Sequence, residues 1–412
     1  MFTIHALIYV SMGAIVGGME VLPEYTLKLL DASRYPRARC LDGTQGGYYI
    51  GPTPATDSSV FLIHLQGGGW CTSLDDCAAR AGTHYGSSRS WTSGECPDAQ
   101  NMACWADNPT GVPAGLGSPN ATESPLFANA VHIWVPYCDG ASLSGDATPI
   151  PFNSTLTLHF NGHAILESVL DELVATENLA SARAVLLKGC SAGGQAVYLH
   201  ADYVAARVRA ASPSARFAAA PGAGLFLNVT DFAGTASFAS YYKWVAETQN
   251  VTASLNPACL SAFPVESRWQ CFLPVVALDF VNSSLFISNS LVDSCAALFI
   301  MDLGCDARVP SGLPLSCSAD QLKYLSEYRA SMIAVVSPVL ARRSDYGAFL
   351  QSCWTHIVED DGVSWNGTLV QGQTQAATFA AWWLADDSAR TVVVDATEFG
   401  GNPTCSNWGT CY

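Results

Sequence analysis

Apolar and polar positions along this chain fall into short blocks that switch between two periods. Short apolar runs at residues 60–65 and 131–135, each containing one histidine, predict strands of a buried sheet. A helical pattern follows at 164–175, then a strand at 184–188 and a helix after Gly193. Strands alternating with helices predict an α/β fold with a mostly parallel sheet flanked by helices. Further on, an apolar run at 285–287 predicts another strand, 320–340 a long helix and 375–384 a final helix. The stretch 228–268 interrupts the alternation and is expected to be a cap insertion, whereas the Gly/Pro/Ser/Asn-rich stretch 108–120 reads as a surface loop. No internal repeat divides the chain, and 412 residues at 49% hydrophobic composition can bury one large core, so a single domain over 19–412 is expected.

Residues 1–18 carry an apolar stretch from Ala6 to Val16, then Gly17 and Gly18, and read as a signal peptide, although no Lys or Arg precedes the apolar stretch. Fifteen cysteines, scattered rather than paired at metal-binding spacing, predict disulfides and not zinc. The odd total leaves at least one thiol free, for which Cys190 is the candidate. Six N-x-S/T sites (Asn120, Asn153, Asn228, Asn250, Asn282, Asn366) fit the same secreted, extracellular compartment. A net charge of −16 with no basic cluster excludes nucleic acid as a partner and disfavours a heavily de-esterified polyuronide. Past the N-terminal segment no stretch is long and apolar enough for a membrane helix.

Candidate chemistry centres on Gly189-Cys190-Ser191-Ala192-Gly193, a G-x-S-x-G pattern between a predicted strand and a predicted helix. Such a turn exposes a serine hydroxyl at a helix N-terminus, which makes Ser191 the candidate nucleophile. Gln66-Gly67-Gly68-Gly69-Trp70, directly after the 60–65 strand, has the form of a loop that donates backbone N–H groups to an oxyanion. Its candidate donors are Gly69 and Trp70, with Ala192 after the serine. A hydroxyl needs a base and the base an orienting carboxylate. In this fold type the order is Ser, acid, His, and only His200 and His356 follow Ser191. His200 lies nine residues along the helix leaving the serine, a rise of roughly 13 Å. His356 is therefore the candidate base, in a loop expected after a helix. Eight aspartates lie between Ser191 and His356; Asp293, just beyond the 285–287 strand, is favoured for the acid, with Asp279 and Asp345 as rivals.

Longer segments carry a resemblance. LQGGGWC (65–71), YGSSRSW (85–91), YCDGASLSGD (137–146), KGCSAGGQA (188–196), FISNSLVDS (286–294), QSCWTH (351–356) and NPTC (402–405) occur in this order and resemble the plant pectin acetylesterases and the related animal Notum carboxylesterases. The plant type is the closer. The resemblance implies an α/β-hydrolase-like fold with several disulfides, a Ser191, Asp293 and His356 triad, oxyanion donors at Gly69, Trp70 and Ala192, and no metal or other cofactor. It also implies an acylated polysaccharide such as pectin as the substrate, or an acylated protein in the Notum manner, and a cell-wall or other extracellular location. The chain departs from the family at 92–122 and around NPTC, where substrate preference rather than mechanism is at stake. Two further classes remain at this stage: an inactive secreted binding protein, and a peptidase or lipase with the same triad. Oligomeric state is not legible.

Overall fold

The computed structural model describes residues 25–51, 59–91, 114–305, 316–357, 359–385, 388–397 and 401–405. The expected signal peptide, most of the 92–122 departure, the first part of the 108–120 loop, and Cys96, Cys104 and Cys411 lie outside them. A nine-stranded sheet is built from β1 (Thr26–Leu29), β2 (Gly47–Ile50), β3 (Val60–Leu65), β4 (Val131–Val135), β5 (Ala184–Cys190), β6 (Arg216–Gly222), β7 (Phe286–Ser290), β8 (Gly347–Gln351) and β9 (Val392–Val394). Its order is β1-β2-β4-β3-β5-β6-β7-β8-β9, with β1 and β2 antiparallel to their neighbours and the pairs from β4 to β9 parallel. This is the expected mostly parallel sheet.

The central strands are buried on both faces, which explains why their sequences are apolar without alternation. Phe61, Ile63, Val185 and Leu187 point into one core, beneath α2 (Gly162–Ala175), α3 (Ala192–Ala211) and part of α5 (Ala319–Arg342). Leu62, Leu186, Ala218 and Phe349 point into the other, against Phe379, Trp382 and Trp383 of α6 (Gln375–Leu384). The predicted helices at 164–175, 320–340 and 375–384 match α2, α5 and α6 within two residues at each end. The strand expected at 285–287 runs instead over Phe286–Ser290.

Between β6 and β7 the chain forms α4 (Ser237–Thr248) and several short helical turns, stapled by the disulfide between Cys259 and Cys271. Four other disulfides join Cys40 to Cys138, Cys71 to Cys77, Cys305 to Cys317 and Cys353 to Cys405, and Cys295 is disulfide-bonded as well. Cys190 remains a buried thiol, as its expected role required. The asparagines of all six N-x-S/T sites are exposed.

Candidate active site

β5 ends in Cys190 and α3 begins at Ala192, so Ser191 is the single residue of the turn between them. Its backbone sits at φ 59° and ψ −126°, a region that costs a non-glycine residue energy and is tolerated where surrounding structure enforces it. Enforcement comes from Ser191 N–H, which donates to the Gly222 carbonyl at 3.0 Å, and from the Ser191 carbonyl, which accepts the Gln195 N–H at 2.9 Å. Gly193 is required by contact: a Cβ there would lie 2.0 Å from the Leu65 carbonyl oxygen. The first N–H groups of α3, Ala192 among them, have no partner within the helix and are available to an anion.

The glycine loop after β3 runs against this turn. A Cβ on Gly67 would stand 2.4 Å from the Cys190 carbonyl oxygen and 2.8 Å from Ser191 Cβ. Beyond it, Arg80 Nη1 of α1 (Leu74–Ala81) donates to the Gly68 carbonyl at 2.8 Å, and the Tyr137 hydroxyl donates to the Gly69 carbonyl at 2.7 Å. In a trans peptide the N–H points opposite to the C=O. These two anchors therefore turn the N–H groups of Gly69 and Trp70 away from Arg80 and Tyr137. The Trp70 indole N–H is tied to Ser142 Oγ at 2.8 Å, and the ring meets Phe226 and Tyr242 edge-on at 5.1 and 4.9 Å. With Phe238 of α4, these rings form an aromatic wall, and Phe226 reaches within 6.3 Å of the His356 ring.

His356 follows β8 rather than a helix as expected, because α5 ends at Arg342, a turn at Arg343–Tyr346 reverses the chain and the five buried residues of β8 intervene. β8 lies parallel to β7, so the loops leaving both strands emerge at the same sheet edge. His356 Nδ1 is 2.8 Å from Asp293 Oδ2, both residues being buried. Asp293 Oδ1 accepts the N–H groups of Cys295 and Ala296 at 2.8 and 2.9 Å. A carboxylate facing Nδ1 keeps the proton there and leaves Nε2 as the basic nitrogen. The rivals lie elsewhere: Asp279 pairs with Arg342 at 2.6 Å, and Asp345 with Arg343 at 2.9 Å. His200 is buried within α3, 2.9 Å from Ser144 Oγ, and burial pushes its pKa down to about 3.

Among the described residues, two groups bring prospective metal-ligand atoms within 4.8 Å of one another: Asp293, Cys295 and His356, and separately Cys190, Glu359 and Asp360. Cys295 is held in a disulfide, which removes its thiolate, and the Lys188 ammonium sits on Asp360, where it opposes a cation. Arg80, Tyr137 and the aromatic wall were not identified as site residues from the sequence. Tyr137 had one signal, its place at the head of the YCDGASLSGD segment, whereas Arg80 had none.

A pectinacetylesterase family profile matches residues 23–406. The chain is 28% identical to pectin acetylesterase 5 of Arabidopsis thaliana over 92% of its own length and 84% of that protein, and 30% identical to pectin acetylesterase 7 over 89% of each. A palmitoleoyl-protein carboxylesterase NOTUM from Schmidtea mediterranea is 31% identical over a shorter part, 42% of this chain and 29% of the relative. The Wnt deacylase Notum from Drosophila superposes with a TM-score of 0.76 at 20% identity, covering 94% of this chain and all of the other, and so shares the fold. The family and the leaning towards its plant branch agree with the resemblance read in the sequence, and the chain belongs to the pectin acetylesterase family of carboxylic ester hydrolases.

Proposed function

We propose that this protein is a secreted serine esterase that removes acetyl groups from an extracellular polysaccharide of the pectin class, with Ser191 as nucleophile, His356 as base and Asp293 as the residue that orients it. The observation that carries this reading is the strained Ser191 turn packed against the Gly67–Trp70 loop at the same sheet edge that presents the bonded pair His356 and Asp293. His356 Nε2 takes the hydroxyl proton as Ser191 Oγ bonds to the ester carbonyl carbon, and the N–H groups of Gly69, Trp70 and Ala192 stabilise the oxyanion. The alkoxide of the sugar leaves with that proton, giving an acyl-enzyme. Water then attacks the acyl carbon, passes a proton to His356, and acetate departs as Ser191 is reprotonated.

Five disulfides between described cysteines, a further one at Cys295 and six exposed glycan acceptor sites support an oxidising, extracellular location. The segment between β6 and β7 supplies Phe238 and Tyr242 to the aromatic wall and acts as the cap over the acyl site. That wall also favours a second reading, a longer acyl chain carried by a protein. Hydrolysis of p-nitrophenyl esters from acetyl to palmitoyl separates the two. A rate that falls with chain length and disappears in Ser191→Ala supports the deacetylase. A maximum at long chains replaces it with the second reading, and unchanged activity in Ser191→Ala overturns the assignment of the nucleophile.

A further inference from the structure

Side chains at alternate positions of β5 point to the same face of the sheet. Leu186 joins the core under α6, so Lys188 and Cys190 face that side too, opposite to α3. At the end of this apolar face lies a buried polar cluster that the ester chemistry does not use. Lys188 Nζ pairs with Asp360, His64 of β3 stands 3.9 Å from the same carboxylate, and the Cys190 sulfur lies within 4.8 Å of the Glu359 carboxyl. Glu359 and Asp360 come three and four residues after His356. Lys188 and Cys190 come three and one before Ser191. The ion pair of Lys188 with Asp360 and the close seating of Glu359 beside Cys190 thus join the segment that carries the base to the strand that carries the nucleophile.

The fit is tight. The Glu359 carboxyl fills the space beside Gly222, where a Cβ would fall 1.7 Å from its Oε1, and the Gly222 carbonyl holds the Ser191 N–H. The Glu359 main chain is fixed as well, since its carbonyl accepts the Leu116 N–H at 2.8 Å. Resting on the assignment of Ser191 and His356 above, we propose that Glu359 and Asp360 are positioning residues that lock the His356 loop onto the nucleophile strand, and that the lock requires Glu359 to be uncharged.

The charges around Glu359 explain the second clause. Lys188 on β5 is matched by Asp360; His64 on β3 is held neutral by burial, which drives its pKa well down; and Tyr198 on α3 is held neutral by burial, which drives its pKa up. An ionised Glu359 would be a surplus negative charge in an apolar interior beside Asp360. Burial, reinforced by Asp360, accordingly raises its pKa to about 8. Above that pH the carboxyl ionises, is repelled by Asp360, and draws water into the seam between the two segments.

The test is the pH dependence of kcat on p-nitrophenyl acetate from pH 5 to 9.5, with near-UV circular dichroism recorded over the same range. The wild type is expected to lose activity above about pH 8, by about tenfold at pH 9.5, since a sub-ångström displacement of a catalytic group is costly. Glu359→Gln, which cannot ionise, removes that alkaline limb. Asp360→Asn leaves Lys188 to attract the Glu359 carboxylate and moves the limb to lower pH. A limb unchanged in Glu359→Gln, no limb in the wild type, or a limb that coincides with loss of the near-UV signal each overturns the proposal. Labelling by a fluorophosphonate keeps the two levels apart. If Ser191→Ala is still labelled or active, the nucleophile assignment fails; if labelling needs Ser191 and the limb persists in Glu359→Gln, only the lock fails.

Discussion

Replacing Asp293 by Asn tests the base and its partner with one atom changed. Asp293 Oδ1 accepts two main-chain N–H groups, and these dictate which way an amide would sit. With its oxygen towards Cys295 and Ala296, the amide keeps both bonds and turns its NH2 towards His356. The reverse orientation would set NH2 against two N–H donors and lose both bonds. The first orientation therefore holds, and His356 Nδ1 must become an acceptor. The ring proton moves to Nε2, which can no longer take the Ser191 proton. In a Ser-His-Asp system this tautomer error costs about 10⁴ in kcat, equivalent to about 5.4 kcal/mol of transition-state stabilisation. Because the amide is isosteric and satisfied, Tm should change little. Stopped-flow or steady-state hydrolysis of p-nitrophenyl acetate measures kcat, and differential scanning calorimetry measures Tm. A loss below tenfold with Tm intact would refute the role of Asp293, whereas a large fall in Tm would refute the orientation argument.

Tyr137→Phe removes the hydroxyl that fixes the Gly69 carbonyl and hence the Trp70 N–H; kcat should drop about tenfold with KM nearly constant, a weaker effect than deleting an oxyanion donor outright. Kinetics on the acetyl ester measure it, and equal loss in KM would point to substrate binding instead. Removing the bridge between Cys353 and Cys405 by a double change to Ala opens a 52-residue span and should destabilise the fold by about 4 kcal/mol on the chain-entropy view, read by urea unfolding. Glu359 gives a stability signature distinct from its kinetic one. Its pKa is raised from the unfolded value of 4.5 to about 8, so the stability contributed by its proton is complete below the lower value and is lost as pH rises through the higher. Relative to Glu359→Gln, the wild type should lose stability between pH 5 and 8, and parallel Tm curves would contradict the raised pKa.

What the chain reveals before folding depends on how local the signal is. Ser191 announces itself because strand, glycines and helix are contiguous, and His356 follows by elimination among two histidines. Asp293 needed the family resemblance, since the ion pair that occupies Asp279 is made across the fold with Arg342, and the bond that marks Asp293 itself, to His356, spans 63 residues. Arg80, Tyr137 and Asp360 act on partners 12, 68 and 172 residues away, at separations with no sequence period. The strands show the same limit. β3 and β4 are apolar runs, but β6 reads RFAAAPG, with no β-branched residue, and its place depends on pairing with β5.

With His356 as the proposed base, the covalent link from Cys353, three residues before it, to Cys405 ties catalysis to maturation. A ribosome releases position 353 before position 405, so the segment bearing His356 cannot acquire this tether until the residues between the two cysteines, a separation of 52, have been made. Full competence of the proposed esterase site thereby waits on an oxidation that joins two parts of the chain made at different times. For anyone producing it, the choice of host becomes a determinant of specific activity and not merely of yield.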